Sequence, residues 1–320
     1  MKFIDMHCDS LPAARRAGKT VDDCPEIMVD LKRLQKAGAM AQFFAMFLPP
    51  PEGLKKQGID EETLIAELHG NYSRSLEKFD GAAAARNVGE MDENFRNGRV
   101  SAFLTIEDGR CVNGKLENIR RFYDMGVRLI TLTWNFENCL GAPNSFDPAI
   151  MEKGLTDFGK EAVEYMNELG MLVDVSHLSD GGFWDVAKVS KKPFVASHSN
   201  CRVLSPHPRN LTDEMLRTLG DRGGVTGVNI VAGFLDADIY SMKSTVSRMA
   251  DHVMHVIDTA GLETAALGTD WDGTGGEIEL NSPEKMQLLF DELSRRGLSD
   301  DSIEKIAWKN ARRVMADVMK

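Results

Sequence analysis

The chain has few cysteines, and their arrangement argues against a disulfide-stapled fold. The five cysteines are odd in number and widely spaced, and no two of them form a CxxC pair. Small secreted domains rely on paired cysteines at short spacings, whereas scattered free thiols are typical of a reducing compartment. We therefore expect free cysteines and a cytoplasmic location.

Long apolar runs are also absent. No segment approaches the roughly 20 apolar residues that a membrane-spanning helix requires. Residues 1–5 lead directly into a polar motif and not into the apolar core of a signal peptide. The sequence therefore predicts a protein without a membrane partner.

Positive charge is scarce as well. The chain has 49 acidic and 38 basic residues, and its formal net charge is -11. A nucleic-acid-binding protein concentrates lysine and arginine in a stripe, but the short basic clusters of this chain, such as Lys191-Lys192 and Arg312-Arg313, are isolated from one another. We expect no nucleic-acid partner.

Eight short apolar runs divide the 320 residues, and helical patterns separate most of them. Runs that are apolar on both faces are typical of buried parallel strands. The first connection, at 10–39, has no clear pattern, while the second, at 48–99, has room for one or two helices and a flap. The runs occupy residues 2–6, 40–47, 100–106, 127–133, 171–175, 193–196, 224–230 and 265–268.

Three segments carry helical signals, two of them at a helix end. The pattern at 154–169 stops at Gly170, Ser282 precedes Pro283 in the arrangement of an N-cap, and one apolar stripe runs through 299–319. A further helix is predicted at 241–260.

Alternating strands and helices form either a closed barrel or a doubly wound sheet. A dinucleotide-binding sheet needs GxGxxG after its first strand, and His7-Cys8-Asp9 stands there instead. We therefore predict an α/β protein with a single (β/α)8 TIM-barrel domain over residues 1–320. Its active site should lie at the C-terminal ends of the strands.

Metal-binding side chains follow several of these runs. His7 and Asp9 are i and i+2 at the end of the first run, so an extended strand would point both the same way. Glu107 directly follows the third run, and His177 and His198 follow the fifth and sixth. Zinc takes such nitrogen and oxygen ligands, and two metals about 3.5–4 Å apart can activate one water. The pattern predicts a two-metal site.

Each of these residues also has a structural interpretation. A lone histidine at a strand end is more often hydrogen-bonded than a ligand, and Glu107 could be a solvated loop acid. Asp270 and Asp272 could be turn residues ahead of Gly273. Convergence on one face of the barrel favours the metal site. His252 and His255, by contrast, read as surface or packing residues, and His207 as a loop residue near the site.

Five segments, in order along nearly the whole chain, resemble the membrane (renal) dipeptidase family, a branch of the metal-dependent amidohydrolases. The longest match runs from SHSNCR to RNLTD and is too specific to be a chance similarity. The segments are DMHCD at 5–9, IEDG at 106–109, DVSH at 174–177, SHSNCR through RNLTD at 197–213, and GTDWDG at 268–273.

The resemblance implies two zinc ions per chain. His7 and Asp9 would hold one, His177 and His198 the other, and Glu107 would bridge them and so take part in catalysis. This set implies hydrolysis of an amide by water activated between the metals.

The resemblance also implies a small-molecule substrate, a dipeptide, and a homodimer. Asp270 would be the proton shuttle, and Arg209 would bind the free carboxylate of the substrate, since a guanidinium matches a carboxylate bidentately. Asp5 would either orient a metal ligand or make a hydrogen bond at the start of the strand.

The substrate pocket departs from the family pattern. The histidine that follows the Thr-Leu-Thr strand in family members is Trp134 here, and Phe136 stands where many bacterial relatives carry one. We expect Trp134 and Asn135 to contact the substrate, with Asn135 or Asn138 as a replacement donor. The alternatives are another amidohydrolase, acting on N-acyl amino acids or lactams, and a metal-binding barrel without turnover.

Overall fold

A closed barrel of eight parallel strands lies at the centre of the computed structural model, which describes residues 1–320. Each strand pairs in parallel with the next one along the chain, and the first pairs with the last. Each of the eight predicted runs overlaps one strand, so the predicted barrel is confirmed. The strands are β1 Phe3–Cys8, β2 Ala39–Phe47, β3 Val100–Glu107, β4 Val127–Thr131, β5 Leu172–Asp174, β6 Val195–Ala196, β7 Val225–Val228 and β8 Ala265–Leu267.

Helices occupy most of the connections between the strands. The α-helices are Ser10–Arg16, Leu31–Ala37, Pro51–Gln57, Glu61–Lys78, Val88–Arg96, Leu116–Met125, Pro148–Met151, Asp157–Leu169, Asp180–Val189, Asp213–Asp221, Ala232–Leu235, Val246–Ala260, Met286–Arg295, Asp300–Glu304 and Asn310–Val318. Short 3-10 turns lie at Gly109–Val112, Leu262–Thr264 and Pro283–Lys285, and a π turn at Lys305–Lys309.

Two apolar clusters hold the barrel together. The larger contains 70 buried residues and packs the strands against the surrounding helices. The smaller contains 18, among them Ile4, Phe43 and Phe103 from the strands and Val314 from helix Asn310–Val318. Strands covered on both sides must be apolar on both faces, which is why they appear as unbroken runs in the sequence.

The end predicted at Gly170 and the N-cap predicted at Ser282 are present, whereas the helix predicted from residue 154 begins at Asp157. Thr156 caps helix Asp157–Leu169 by accepting a hydrogen bond from Gly159 N–H, and Gly170 ends it with a φ of 83°. Ser282 caps the 3-10 turn Pro283–Lys285, which leads into helix Met286–Arg295. These ends are local hydrogen-bonding signals, so the sequence alone reveals them.

The connections hold more structure than expected. Residues 10–39 contain two helices, and residues 48–99 contain three together with an extra strand, Ala82–Ala84, which pairs with β3 outside the barrel. The helix predicted at 241–260 begins only at Val246, because Lys243–Ser244 pairs with Glu277–Ile278 in a small second sheet. A π turn interrupts the predicted terminal helix.

All five cysteines are free thiols, as expected. None of the helices combines the length and apolar character needed to cross a bilayer.

Candidate active site

Five of the predicted site residues meet at the C-terminal end of the barrel, each at most 8% exposed. They are His7 in β1, Glu107 at the end of β3, His177 after β5, His198 after β6 and Asp270 after β8.

The backbone at this end adopts a conformation that is rare for residues with a side chain. His177, Asp270, Asp108 and Asp272 have φ values of 66°, 64°, 73° and 67°. Left-handed backbone at non-glycine residues costs of order 1–3 kcal/mol each, and such strain is concentrated at functional sites. Four instances within the strand-end loops therefore mark this end of the barrel.

Glu107 lies between the histidines. Its Oε1 is 3.1 Å from His177 Nε2 and 3.6 Å from His198 Nε2, while its Oε2 is 3.6 Å from His7 Nε2. The two oxygens of one carboxylate thus face different imidazoles, the arrangement expected of a bridging ligand.

Asp9 and Asp270 complete the group on the His7 side. One ligand atom from each of His7, Asp9 and Asp270 lies within 4.8 Å of the others. The predicted reason for the pairing of His7 and Asp9 is wrong, since β1 ends at Cys8. Asp9 stands instead at the start of helix Ser10–Arg16, where its side chain makes no capping bond and stays available.

Several buried polar atoms in this group have no hydrogen-bond partner. They include both ring nitrogens of His7, Asp9 Oδ1 and Glu107 Oε2. Buried polar atoms are normally satisfied, so a cluster of exceptions needs an explanation. The orphaned atoms are the nitrogen and oxygen donors that zinc and similar cations take, so the residues present fit a metal centre.

Burial dominates the electrostatics of the group. It raises the pKa of Glu107 to about 8 and the pKa of Asp9 and of Asp270 well above the usual range. It also lowers the pKa of His177 and His198 well below the usual value. A divalent cation would reverse the penalty on the carboxylates and would use the neutral imidazoles as ligands.

The Nδ1 atoms of two histidines have partners that point Nε2 toward Glu107. His198 Nδ1 lies 2.7 Å from Ser197 Oγ, and His177 Nδ1 lies 3.1 Å from the side-chain oxygen of Asn135. The structure thus directs Asn135 at an imidazole, and its predicted contact with the substrate stays a prediction.

Arg209 is buried beside the group. It donates from Nη1 to Ser199 Oγ at 3.2 Å and from Nη2 to the His198 carbonyl at 3.1 Å, and its Nε has no partner. Its guanidinium lies 5.4 Å from the ring of Phe234, which also packs against His207. Burial lowers the pKa of Arg209 to about 10, so the group stays cationic at neutral pH.

A group of aromatic side chains lies beside His177. The ring of Trp134 lies 6.2 Å from that of His177, 5.0 Å from that of Phe47 and 5.9 Å from that of Phe136. Phe136 is 52% exposed. We call Phe47, Trp134 and Phe136 the aromatic strip. It places apolar rings where family members were expected to carry an imidazole.

Asn138 does not replace that imidazole. Its amide hydrogens go to Asp108 Oδ1 and the Leu132 carbonyl, both at 2.9 Å. Both hydrogens are therefore used within the loop, and neither is free for a substrate.

Of the two roles predicted for Asp5, the structure shows the hydrogen bonds within the sheet. Its carboxylate accepts from the Thr269 backbone at 2.7 Å, the Thr269 hydroxyl at 2.9 Å and Gln42 Nε2 at 2.6 Å. It touches no imidazole, so the expectation that it orients a ligand is not supported. Asp272 likewise accepts from Ser10 Oγ and Met28 N–H, both at 2.6 Å.

The side chains of His7, Asp9, Glu107, His177, His198 and Asp270 form what we call the metal group. The two histidines of helix Val246–Ala260 lie away from it. His252 is fully buried, accepts from Cys201 N–H at Nδ1 and donates from Nε2 to the Leu235 carbonyl. His255 pairs with Asp213 at 2.8 Å, an acid partner that its own helix did not reveal. Both are packing or surface residues, as expected.

Sequence reasoning missed the residues behind His198. Ser197 Oγ donates to Asp174 Oδ2 at 2.6 Å, and Thr131 Oγ1 donates to the same oxygen at 2.6 Å. A signal was available, because Asp174 is the one charged residue in the apolar run 171–175.

Comparison with known proteins agrees with this geometry. A sequence model of the membrane dipeptidase family, peptidase family M19, matches residues 1–320. Dipeptidase verJ of Clonostachys rogersoniana is 32% identical over 308 residues, covering 92% of this chain and 78% of that protein. A protein from the pqqA 5′ region of Klebsiella pneumoniae is 36% identical over 234 residues, covering 71% and 85%.

The fold also matches solved structures. The crystal structure of a metallopeptidase from Rhodobacter sphaeroides, liganded with a phosphinate mimic of the dipeptide L-Ala-D-Ala, superposes with a TM-score of 0.89. The match covers 99% of each chain at 24% sequence identity, and it shows a shared barrel.

Proposed function

The chain belongs to the membrane dipeptidase family, as its motifs predicted, and from this premise we propose that it is a two-zinc enzyme that hydrolyses dipeptides. The observation that carries the proposal is the position of Glu107, whose two carboxylate oxygens face His7 on one side and His177 and His198 on the other.

His7 and Asp9 would hold one zinc, His177 and His198 the other, with Glu107 between them. When bound, the metal pair would supply a water that is nucleophilic near neutral pH and would polarise the scissile carbonyl. The unpartnered atoms of His7, Asp9 and Glu107 support this assignment, because they are buried without a protein hydrogen-bond partner in a group whose ligand atoms lie close together.

Asp270 is the group suited to move the proton. Its Oδ1 lies 3.7 Å from His7 Nε2, and its backbone N–H is held by the His7 carbonyl at 3.1 Å. The fixed backbone keeps the carboxylate beside the ligands. Asp270 Oδ1 would take the proton of the attacking water and pass it to the departing amine nitrogen.

Arg209 would hold the carboxylate of the substrate. Its charge lies within electrostatic range of Asp270 and Glu107, and it keeps N–H donors beyond those that secure Ser199 and the His198 carbonyl. A free carboxylate so close to the scissile amide describes a short peptide. The dipeptide mimic bound by the Rhodobacter sphaeroides relative supports the same substrate class.

A second amide class fits the same donors. N-acyl amino acids and carboxylated lactams also place a carboxylate beside an amide, and the aromatic strip in place of a pocket imidazole favours an apolar group next to His177. A panel of dipeptides measured against N-acyl amino acids and lactams separates the two classes by kcat/KM.

The deciding experiment combines metal analysis with the Asp270→Asn variant. The wild-type chain should bind two zinc ions, and the variant should keep both while losing about 10²- to 10⁴-fold in kcat, since the amide cannot accept the proton. Elemental analysis and dipeptide hydrolysis measure the two quantities.

Asp272→Asn is the matched control, because its carboxylate serves Ser10 and Met28 and not the metal group. It should reduce stability and retain turnover. Full activity in Asp270→Asn would contradict the shuttle, and fewer than two zinc ions in the wild-type chain would contradict the two-metal site.

A further inference from the structure

Asp174 is a fully buried carboxylate for which the proposed reaction has no use. It lies at the end of β5 and accepts four hydrogen bonds. Its Oδ1 accepts from Ser176 N–H at 3.0 Å and Ser197 N–H at 2.8 Å, and its Oδ2 accepts from the hydroxyls of Thr131 and Ser197, both at 2.6 Å. Such a set of donors fixes the carboxylate in one position.

The hydrogen bonds from Asp174 to His198 have a defined direction. Ser197 Oγ uses its only hydrogen on Asp174, so at the 2.7 Å contact with His198 it acts as the acceptor, and Nδ1 carries the hydrogen. His198 then has its lone pair on Nε2, the atom that faces Glu107 at 3.6 Å.

The other two histidines lack this support. His177 Nδ1 has only the neutral amide oxygen of Asn135, an exposed residue, and His7 Nδ1 has no partner. A carboxylate behind a ligand histidine fixes its tautomer and orientation and increases its basicity. The three imidazoles are therefore not equivalent.

We propose that Asp174, acting through Ser197, is a positioning residue that holds His198 in the tautomer and orientation required for the second metal, and so determines whether that metal site is filled. The inference rests on the proposed function, since it assigns His198 to a two-zinc centre. It concerns the site of His177 and His198, because Asp174 and Ser197 hydrogen-bond to neither His7 nor Asp9, and the His198 ring meets the His7 ring only by stacking, at 3.8 Å.

The test is the zinc affinity of Asp174→Asn and Ser197→Ala, measured by chelator competition and elemental analysis. The wild-type chain should bind two zinc ions. Each variant should bind one with wild-type affinity and the other about 10- to 100-fold more weakly, the usual effect of removing a partner of a ligand histidine. Ser197→Ala removes only one hydroxyl and decides the question should Asp174→Asn fail to fold.

Asp5→Asn is the matched control. Asp5 is also fully buried and accepts three hydrogen bonds from the adjacent strands, but it touches no imidazole. The Asp5→Asn variant should lose stability and keep two zinc ions with unchanged affinities. This result would distinguish the positioning of His198 from general damage to the barrel.

Two results would overturn the inference and leave the proposed function standing. One is two zinc ions of unchanged affinity in both Asp174→Asn and Ser197→Ala, and the other is an equal loss in Asp5→Asn. A wild-type chain that binds no zinc would contradict the proposed function and the inference together.

Discussion

The charged forms of the acidic residues in the metal group receive little stabilisation from other groups of the protein. Asp9, Glu107 and Asp270 are buried, and the pKa of each is raised, with burial as the largest cause. Burying a charged group without a partner costs several kcal/mol. A bound cation would offset this free-energy cost, so a site built from such groups suits a cation.

The aromatic strip leads to a prediction about substrate preference. Trp134 joins the His177 ring to the exposed Phe136 ring, so a substrate at the metal group would place one side chain against it. Trp134→Ala should lower kcat/KM for dipeptides with an aromatic side chain by about 5- to 30-fold, which corresponds to one or two kcal/mol of lost contact. Ala-Ala should be affected much less, and steady-state kinetics on both substrates checks this.

Trp308→Ala is the control for that experiment. Trp308 packs against Lys2 at the start of β1, away from the strand ends that carry the site. Its replacement should cost stability without changing the ratio of the two kcat/KM values. An equal loss for aromatic dipeptides and Ala-Ala in Trp134→Ala would argue against the strip as a side-chain subsite.

Helix Val246–Ala260 is anchored by a buried histidine. His252 accepts from Cys201 N–H at 3.0 Å and donates to the Leu235 carbonyl at 3.1 Å, which ties the helix to the loops after β6 and β7. Burial lowers the pKa of His252 to about 4. The neutral ring is therefore part of the folded structure.

This shift makes stability depend on pH. Above the ordinary histidine pKa of about 6.5 the His252 ring is neutral in both the folded and the unfolded chain, and its full contribution to the free energy of unfolding is present. Between about 6.5 and 4 the unfolded chain binds a proton that the folded chain does not, so the free energy of unfolding falls with pH, by on the order of 3 kcal/mol in total.

His252→Gln should therefore be less stable than wild type at pH 7, and the difference should narrow as pH falls toward 4. Urea unfolding at several pH values with a chelator present measures it, so that metal release does not interfere. His69→Gln, in helix Glu61–Lys78, controls for the loss of an imidazole. A difference that stays constant between pH 7 and 4.5 would contradict the assignment.

At the scale of the whole molecule, the two ends of the barrel differ in polarity. Helix Asn310–Val318 contributes side chains to the smaller apolar cluster, while the C-terminal strand ends carry the strained loops and the buried acids. Unpartnered buried atoms of His7, Asp9 and Glu107 lie at this end, so its stability should depend on metal.

Metal removal should lower the stability of the entire domain. A ligand that binds only the folded state adds about 2.7 kcal/mol when its free concentration is 100 times its Kd. Thermal unfolding with and without a chelator should show a lower Tm without metal, restored by zinc. Identical curves would contradict a metal centre built into the fold.

Asp270→Asn and Glu107→Gln serve as paired controls for this measurement. The first should keep the chelator-dependent change in Tm, because it retains both zinc ions in the proposed site. The second should lose most of it, because the bridging carboxylate is gone. The expected homodimer stays a prediction, which sedimentation equilibrium can check.

Much of the fold could be predicted from the sequence because its signals are local. Strands buried on both faces leave apolar runs, and caps such as Ser282 and Gly170 act within a few residues. The helix start near 241 was misplaced because Lys243–Ser244 pairs with a strand more than 30 residues away, at Glu277–Ile278.

The sequence by itself determined the barrel and the end at which His7, Glu107, His177 and His198 lie, because residues at the C-terminal ends of parallel strands necessarily meet at one end of a closed sheet. Only the tertiary structure decided the partners of each side chain. Asn135 faces His177, and Asp174 supports His198 through Ser197, because these contacts cross between strands and depend on register and loop conformation, which residue spacing does not encode.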